Sequence, residues 1–275
     1  MINTIVTDID GTLVKSGGIL NSAEAKVLIS FQEKGGRVIL LTARNLENCK
    51  DFINGLKLKE YEGYIIFDNG YGIYQACEEH VIYKKELSKR DVDELTQIYK
   101  KKGKILVCGK KAHYHPYSKW AFLKQVYSKI KHSKHYFTRG SKISYESNDD
   151  IRKMQVHISR DVSVDWVESK IEVLKNKYSI FYNFDDSCVE ITSLNVSKYE
   201  SLKTVLNEIQ VDHDACVAFG NDSIDNEVLK NFKHSGAVKN SNQKTKECAN
   251  FLIDVPEQHG LIKKIDELEK NGEMI

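Results

Sequence analysis

The chain predicts an α/β fold: a Rossmann-like core of parallel strands with an α+β domain inserted into it. Three observations predict it. The first seventy residues alternate strand-like and helix-like segments, the pattern changes near residue 80 to a mixture separated by polar loops, and the alternation resumes after Ser193. A β-α-β order gives parallel strands joined by right-handed crossovers. The core is expected over 1–82 and 189–275, and the insertion over 83–188.

Each element has its own signal. Ile2–Thr7 is a short β-rich run. Asn21 is a good N-cap with Glu24 three residues on, a capping-box pattern, and Val27, Leu28 and Phe31 form the apolar face before Gly35-Gly36 stop the helix. Residues 37–42 read as a buried strand, Asn45 caps a helix running to about Ile53, and Tyr64–Phe67 is a third strand ending in Asp68-Asn69-Gly70. In the insertion, helices at Lys89–Lys102, Ser118–Lys131 and Val164–Lys177 accompany strands at Ile105–Cys108, Met154–Ser159, Ile180–Phe184 and Cys188–Thr192. Loops such as 147–150 separate them, which suggests a mainly antiparallel sheet. A helix at Ser197–Ile209, strand Cys216–Phe219, a helix at Ser223–Phe232 and short strands near Gly236–Val238 and Phe251–Val255 complete the core.

Composition narrows the class. With 275 residues, 41% hydrophobic and 29% charged, the chain is of ordinary soluble globular type. It has no apolar run near the length of a membrane span, and it opens on a strand with no basic leader, so a cytoplasmic protein is expected. Six scattered cysteines without a Cys-x-x-Cys pair read as reduced thiols, against a disulfide framework or zinc site. Residues 84–135 carry Lys and Arg in large excess over Glu86, Asp91, Asp93 and Glu94, with Tyr99, Tyr114, Tyr117, Trp120 and Tyr127 interleaved. Such a run can bind nucleic acid, but a solvated helical face is the preferred reading, and a basic insertion attracting an anionic substrate lies between the two. His113-x-His115 has no third ligand at useful spacing. Nothing in the pattern sets an oligomeric state.

The chemistry gathers where such sheets bind ligands, beyond the carboxyl ends of the strands. Asp8-Ile9-Asp10-Gly11-Thr12-Leu13 places two carboxylates on one face of a strand end, where they repel unless a cation or shared proton is present. Oxygen-rich sites of this kind suit Mg²⁺. Thr42-Ala43-Arg44 brings a hydroxyl and fresh N–H groups to a helix entrance, a seat for phosphate. Lys198, at a helix start, opposes the local dipole and calls for a nearby anion. Gly220-Asn221-Asp222-Ser223-Ile224-Asp225-Asn226 is an acidic strand-to-helix turn able to complete a metal site. Taken singly, each segment also reads as a capped turn or surface residue. Jointly they describe a carboxylate that can attack phosphorus once charge repulsion is relieved, beside a second acid that can handle the oxygen.

The order Asp-x-Asp-Gly-Thr-Leu, Thr-Ala-Arg, isolated Lys, Gly-Asn-Asp-x-x-Asp resembles the haloacid dehalogenase (HAD) superfamily. More narrowly it is similar to the Cof-type sugar-phosphate phosphatases, with a C2-type cap inserted between the second and third motifs. Asp68-Asn69-Gly70, Val189–Thr192 leading to Lys198, and His259-Gly-Leu-Ile262 support the resemblance, which covers the whole chain. It implies a Mg²⁺-dependent phosphatase acting on a small phosphorylated, sugar-phosphate-like metabolite. Asp8 would be the nucleophile forming an aspartyl-phosphate and a metal ligand. Asp10 would be the general acid/base, lending its carbonyl to the metal. Thr42 and the Ala43 N–H would bind the phosphoryl group with Lys198, and the cap would exclude water and choose the substrate. The fourth motif departs from the usual Gly-Asp-x-x-Asn-Asp. Counting from Gly220 puts Asn221 at the ligand position, with Asp222 supplying charge nearby and Asp225 behind; slipping by one offers Asp222, Asp225 and Asn226 instead. A phosphomutase, or a catalytically weak phosphate-binding regulatory protein, are the alternatives.

Overall fold

A computed structural model of the protein describes residues 1–109, 113–114, 150–183 and 187–275. The expected helix at 118–131, the loop at 147–149 and most of the basic, aromatic-rich run beyond residue 109, with the side chains of His113 and His115, lie outside the described residues. The chain divides into two compact units, Met1–Lys84 with Ser197–Ile275, and Lys85–Val196.

The first unit is built on an eight-stranded sheet. In chain order its strands are β1 (Thr4–Asp8), β2 (Arg37–Leu41), β3 (Tyr64–Phe67), β4 (Gly72–Gln75), β5 (His80–Lys84), and, past the second unit's strands, β11 (Cys216–Gly220), β12 (His234–Val238) and β13 (Phe251–Ile253). Their order across the sheet is β13-β12-β11-β1-β2-β3-β4-β5. The strands from β13 to β3 run parallel, while β4 and β5 are antiparallel additions. The first half of the chain winds from β1 toward β5 and the second half from β11 toward β13, so succession reverses beside β1. In sheets of this kind that reversal opens a crevice at the carboxyl ends of the strands. β1 and β11 are buried along their whole length, as near-continuous apolar runs demand when both faces are covered. Val6, Ile39, Ile66, Ala218, Leu202 and Val205 share one core cluster.

Helices Ser22–Glu33, Lys198–Glu208 and Gly260–Lys270 fall in this unit. The first is capped as expected by Asn21, whose side chain accepts from the Ala23 and Glu24 amides. The return half of the expected capping box is spent otherwise: the buried Glu24 carboxylate reaches His259 Nδ1 at 2.8 Å. The helix expected from Asn45 to Ile53 begins instead as a 3-10 turn over Leu46–Cys49 and becomes α-helical at Lys50–Gly55.

The second unit is a five-stranded antiparallel sheet in the order β7-β6-β8-β10-β9, with β6 at Gly103–Gly109, β7 at His113–Tyr114, β8 at Ile151–Ile158, β9 at Tyr178–Asn183 and β10 at Cys188–Ser193. Helices Lys89–Tyr99 and Val164–Leu174 contribute Val92, Leu95, Tyr99 and Val167 to a core shared with Ile105, Met154, Val156, Val189 and Ile191. The sequence boundary at 188/189 therefore shifts to 196/197. β10 pairs with β8 on one side and β9 on the other and belongs whole to the insertion. At the other junction β5 extends the core to Lys84. Among the described residues, no helix is long and apolar enough to cross a membrane, and none of the six cysteines forms a disulfide.

Candidate active site

Asp8 closes the central strand β1 and is buried, 5% exposed. The chain turns directly behind it, with Leu13 and Val14 amides donating to the Ile9 carbonyl and the Gly11 amide to Val14. Gly11 is required there. Its φ is +86°, and a Cβ would lie 2.4 Å from Asn221 Nδ2.

Lys198 opens its helix just behind the Ser197 cap and is buried. Its ammonium contacts Asp8 Oδ1 at 2.6 Å and Asp225 Oδ1 at 2.7 Å, supplying the anions that a cation at a helix start calls for. Burial pushes the Asp8 carboxyl up, to about 7; Lys198 pulls the other way and Asp225 adds repulsion. For Lys198, burial opposes the charge but the two carboxylates outweigh it, so the ammonium is held charged. Asp225 is itself committed, since its Oδ2 accepts from the Asn221 and Asp222 amides at 3.0 and 3.1 Å. It thereby fixes the turn that follows β11.

In that turn the Asn221 and Asp222 side chains point different ways. Asp222 turns its side chain to the Ser223 amide as a cap and is exposed. Asn221 faces Asp8. The inward atom of its amide lies 2.9 Å from Thr12 Oγ1, 3.0 Å from the Asp10 carbonyl oxygen and 3.2 Å from Asp8 Oδ2. With nitrogen inward the amide donates to all three. With oxygen inward it accepts from Thr12, and three oxygens converge. Octahedral Mg²⁺, with oxygens at about 2.1 Å, spaces neighbouring ligands by about 3 Å, so the spacing fits that ion. Among the described residues no cluster of three or more His, Cys, Asp or Glu could hold a metal. The donor set that fits is one carboxylate, one backbone carbonyl and one neutral amide.

Asp10 points its carboxylate elsewhere. Arg44 Nε and Nη2 grip Oδ2 and Oδ1, both at 2.7 Å, and the Gly17 amide donates to Oδ1 at 2.7 Å. Arg44 also donates to the Gly18 carbonyl and stacks over Phe52 at 4.9 Å. Burial works to raise the Asp10 carboxyl, but the Arg44 hydrogen bonds and the Gly17 amide outweigh it and hold it below its ordinary value. The sequence reading gave Arg44 no role of its own. A cation two residues past the hydroxyl of Thr42, opposite an unpaired Asp10, was the available signal.

Thr42, fully buried at the end of β2, accepts the Arg44 amide on its hydroxyl at 3.0 Å. Among the described residues the Ala43 N–H donates to nothing, so a free backbone donor stands beside that hydroxyl. The Asp68-Asn69-Gly70 turn, with three successive positive φ values, ties these pieces together. The Asp68 amide donates to the Arg44 carbonyl, the Asn69 amide to the Thr42 carbonyl, and the Gly70 carbonyl accepts from Ser201 on the Lys198 helix. Asp8, Asp10, Thr42, Ala43, Lys198, Asn221 and Asp225 thus gather at the strand ends beside β1; the Asp222 side chain does not join them.

This strand order, with its four chain segments meeting beside a central Asp-x-Asp strand, defines a class of hydrolase. The chain belongs to the haloacid dehalogenase-like hydrolase family, whose sequence profile matches residues 5–265. It is 22% identical over 267 residues to the 5-amino-6-(5-phospho-D-ribitylamino)uracil phosphatase of Bacillus subtilis, covering 96% of this chain and 94% of that one. A haloacid dehalogenase-like hydrolase from Bacteroides thetaiotaomicron superposes with a TM-score of 0.75 at 22% identity, covering 98% of this chain and all of that one. A phosphatase of the same superfamily from that organism gives 0.77 at 17% identity, covering 100% and 96%. The solved structures share the fold.

Proposed function

We propose that this chain is a Mg²⁺-dependent phosphatase that hydrolyses a small phosphomonoester through an aspartyl-phosphate on Asp8. The observation that carries the reading is the buried Asp8 carboxylate, paired through Oδ1 with Lys198 while Oδ2 faces the Asn221 amide, which also meets the Asp10 carbonyl. Asp8, the Asp10 carbonyl and Asn221 would hold Mg²⁺. The ion, when bound, supplies positive charge that offsets repulsion between carboxylate and phosphate. Lys198 neutralises the same pair from the opposite oxygen.

In the first transfer a carboxylate oxygen of Asp8 bonds to phosphorus and the ester P–O bond breaks, the departing oxygen taking its proton from Asp10. In the second, water bonds to the same phosphorus, Asp10 takes the water proton, and the Asp8–phosphorus bond breaks to release phosphate. Thr42 and the Ala43 N–H would hold phosphoryl oxygens. Asp10, as gripped by Arg44, is in the state of a base. To act first as an acid it must exchange that ion pair for a proton. The inserted unit would choose the substrate, and the phosphorylated ribityl compound named for the B. subtilis relative supports a small polyol- or sugar-like leaving group. The test is p-nitrophenyl phosphate turnover. Activity should require Mg²⁺ and fall by about 10³-fold or more in Asp8→Asn; equal rates for the two proteins would sink the mechanism.

A further inference from the structure

A cavity of about 620 Å³ in the core unit is lined by Asp10 and Arg44 together with Ser16, Gly17, Glu47, Asn48, Lys50 and Asp51. The volume suits a metabolite-sized ligand. Its charges are of two kinds. Asp10 and Arg44 cancel in their bidentate pair. Glu47, Lys50 and Asp51 are exposed, and among the described residues none of the three makes an ion pair or side-chain hydrogen bond. The Ser16 hydroxyl and the side-chain amide of Asn48 are likewise uncommitted among the described residues. The lining therefore offers hydroxyl, amide, ammonium and carboxylate groups to an occupant, and carries one more negative than positive charge.

We infer that this core-side cavity is the leaving-group subsite, and that Glu47 and Asp51 select neutral or cationic leaving groups over anionic ones. The inference rests on the phosphatase reading in one respect: if Asp10 protonates the departing oxygen, whatever is bonded to that oxygen stands in the space Asp10 lines. A polyol or aminosugar finds hydrogen-bond partners there. A second phosphate would bring about two negative charges against Glu47 and Asp51 with only Lys50 to offset them. Discrimination then begins on the core, and a bisphosphate intermediate of mutase type is disfavoured by the same charges.

The experiment is a calorimetric titration of the full-length Asp8→Asn protein, in Mg²⁺, with glucosamine 6-phosphate and with fructose 1,6-bisphosphate. With the native lining, the aminosugar phosphate should bind at least about fivefold tighter. Glu47→Gln/Asp51→Asn should bring the ratio to about one or below, and Lys50→Glu should widen it. A ratio unmoved by both variants, a native preference for the bisphosphate, or binding of neither compound would overturn the subsite. Turnover of p-nitrophenyl phosphate by the protein with Asp8 intact reports separately on the phosphatase reading, so each can fail alone.

Discussion

At Asn221 the protein sets a neutral amide beside Asp8 where a carboxylate would bring a second full charge. Thr12, buried and 2.9 Å away, can donate to the amide oxygen and so hold it inward. On the proposed reading, Asn221→Asp tightens Mg²⁺ binding by about tenfold, because divalent affinity rises with ligand charge. Thr12→Val loosens it by about tenfold, as loss of an orienting partner does. Both are read by calorimetry on the protein without substrate, and an unchanged affinity in Asn221→Asp would remove that residue from the metal site. Asp10 gives a pH prediction. Its carboxyl lies below its ordinary value of 3.8, so the Arg44 pair adds stability above that pH and loses it as the pH falls through the lower folded value. The gap in unfolding temperature between wild type and Arg44→Ala should be widest near about pH 7 and shrink by about pH 3. A gap independent of pH would mean that Arg44 stabilises by packing on Phe52 instead. The charged pairs themselves were only partly legible in the sequence. Asp8, Asp10 and Lys198 stand out by type and spacing, whereas the grip of Arg44 on Asp10 depends on how the loop through Gly17 and Gly18 folds back.

Among the elements, the short turn Asp68-Asn69-Gly70 bears a disproportionate share of the site. Gly70 has φ +98°, and a Cβ there would lie 2.2 Å from the Ser197 carbonyl oxygen, against the cap of the helix that presents Lys198. Gly70→Ala should cost about 2–4 kcal/mol in urea unfolding, from strain and overpacking together. A loss under about 0.5 kcal/mol, the range of an ordinary surface substitution, would show that the backbone there relaxes freely. The sequence marked this segment as a turn because Asn-Gly is one, but its contact with Ser197 joins residues far apart in the chain. Long apolar runs such as β2 and β11 were legible for the opposite reason: burial on both faces writes itself into the local composition. The hairpin of β4 and β5 was missed, since its short half-buried strands gain their identity from pairing with β3. So was the C-terminal helix, although Leu261, Ile265 and Leu268 recur on one face of it.

For the whole molecule, the alternation of strand and helix was enough to forecast a parallel core interrupted by an α+β insertion. It could not place the second junction, because Cys188–Thr192 reads as a strand on either side of the boundary and only its partners reveal where it belongs. The family match over residues 5–265 spans both units, so core and insertion are parts of one hydrolase architecture. What such a chain accomplishes turns on whether phosphorus passes through Asp8. The most direct measurement is mass spectrometry of the protein acid-quenched during turnover of p-nitrophenyl phosphate with Mg²⁺. The account predicts one added phosphoryl group on the peptide containing Asp8, absent in Asp8→Asn. Sustained phosphate release with no adduct on that peptide, or with the adduct elsewhere, would contradict it.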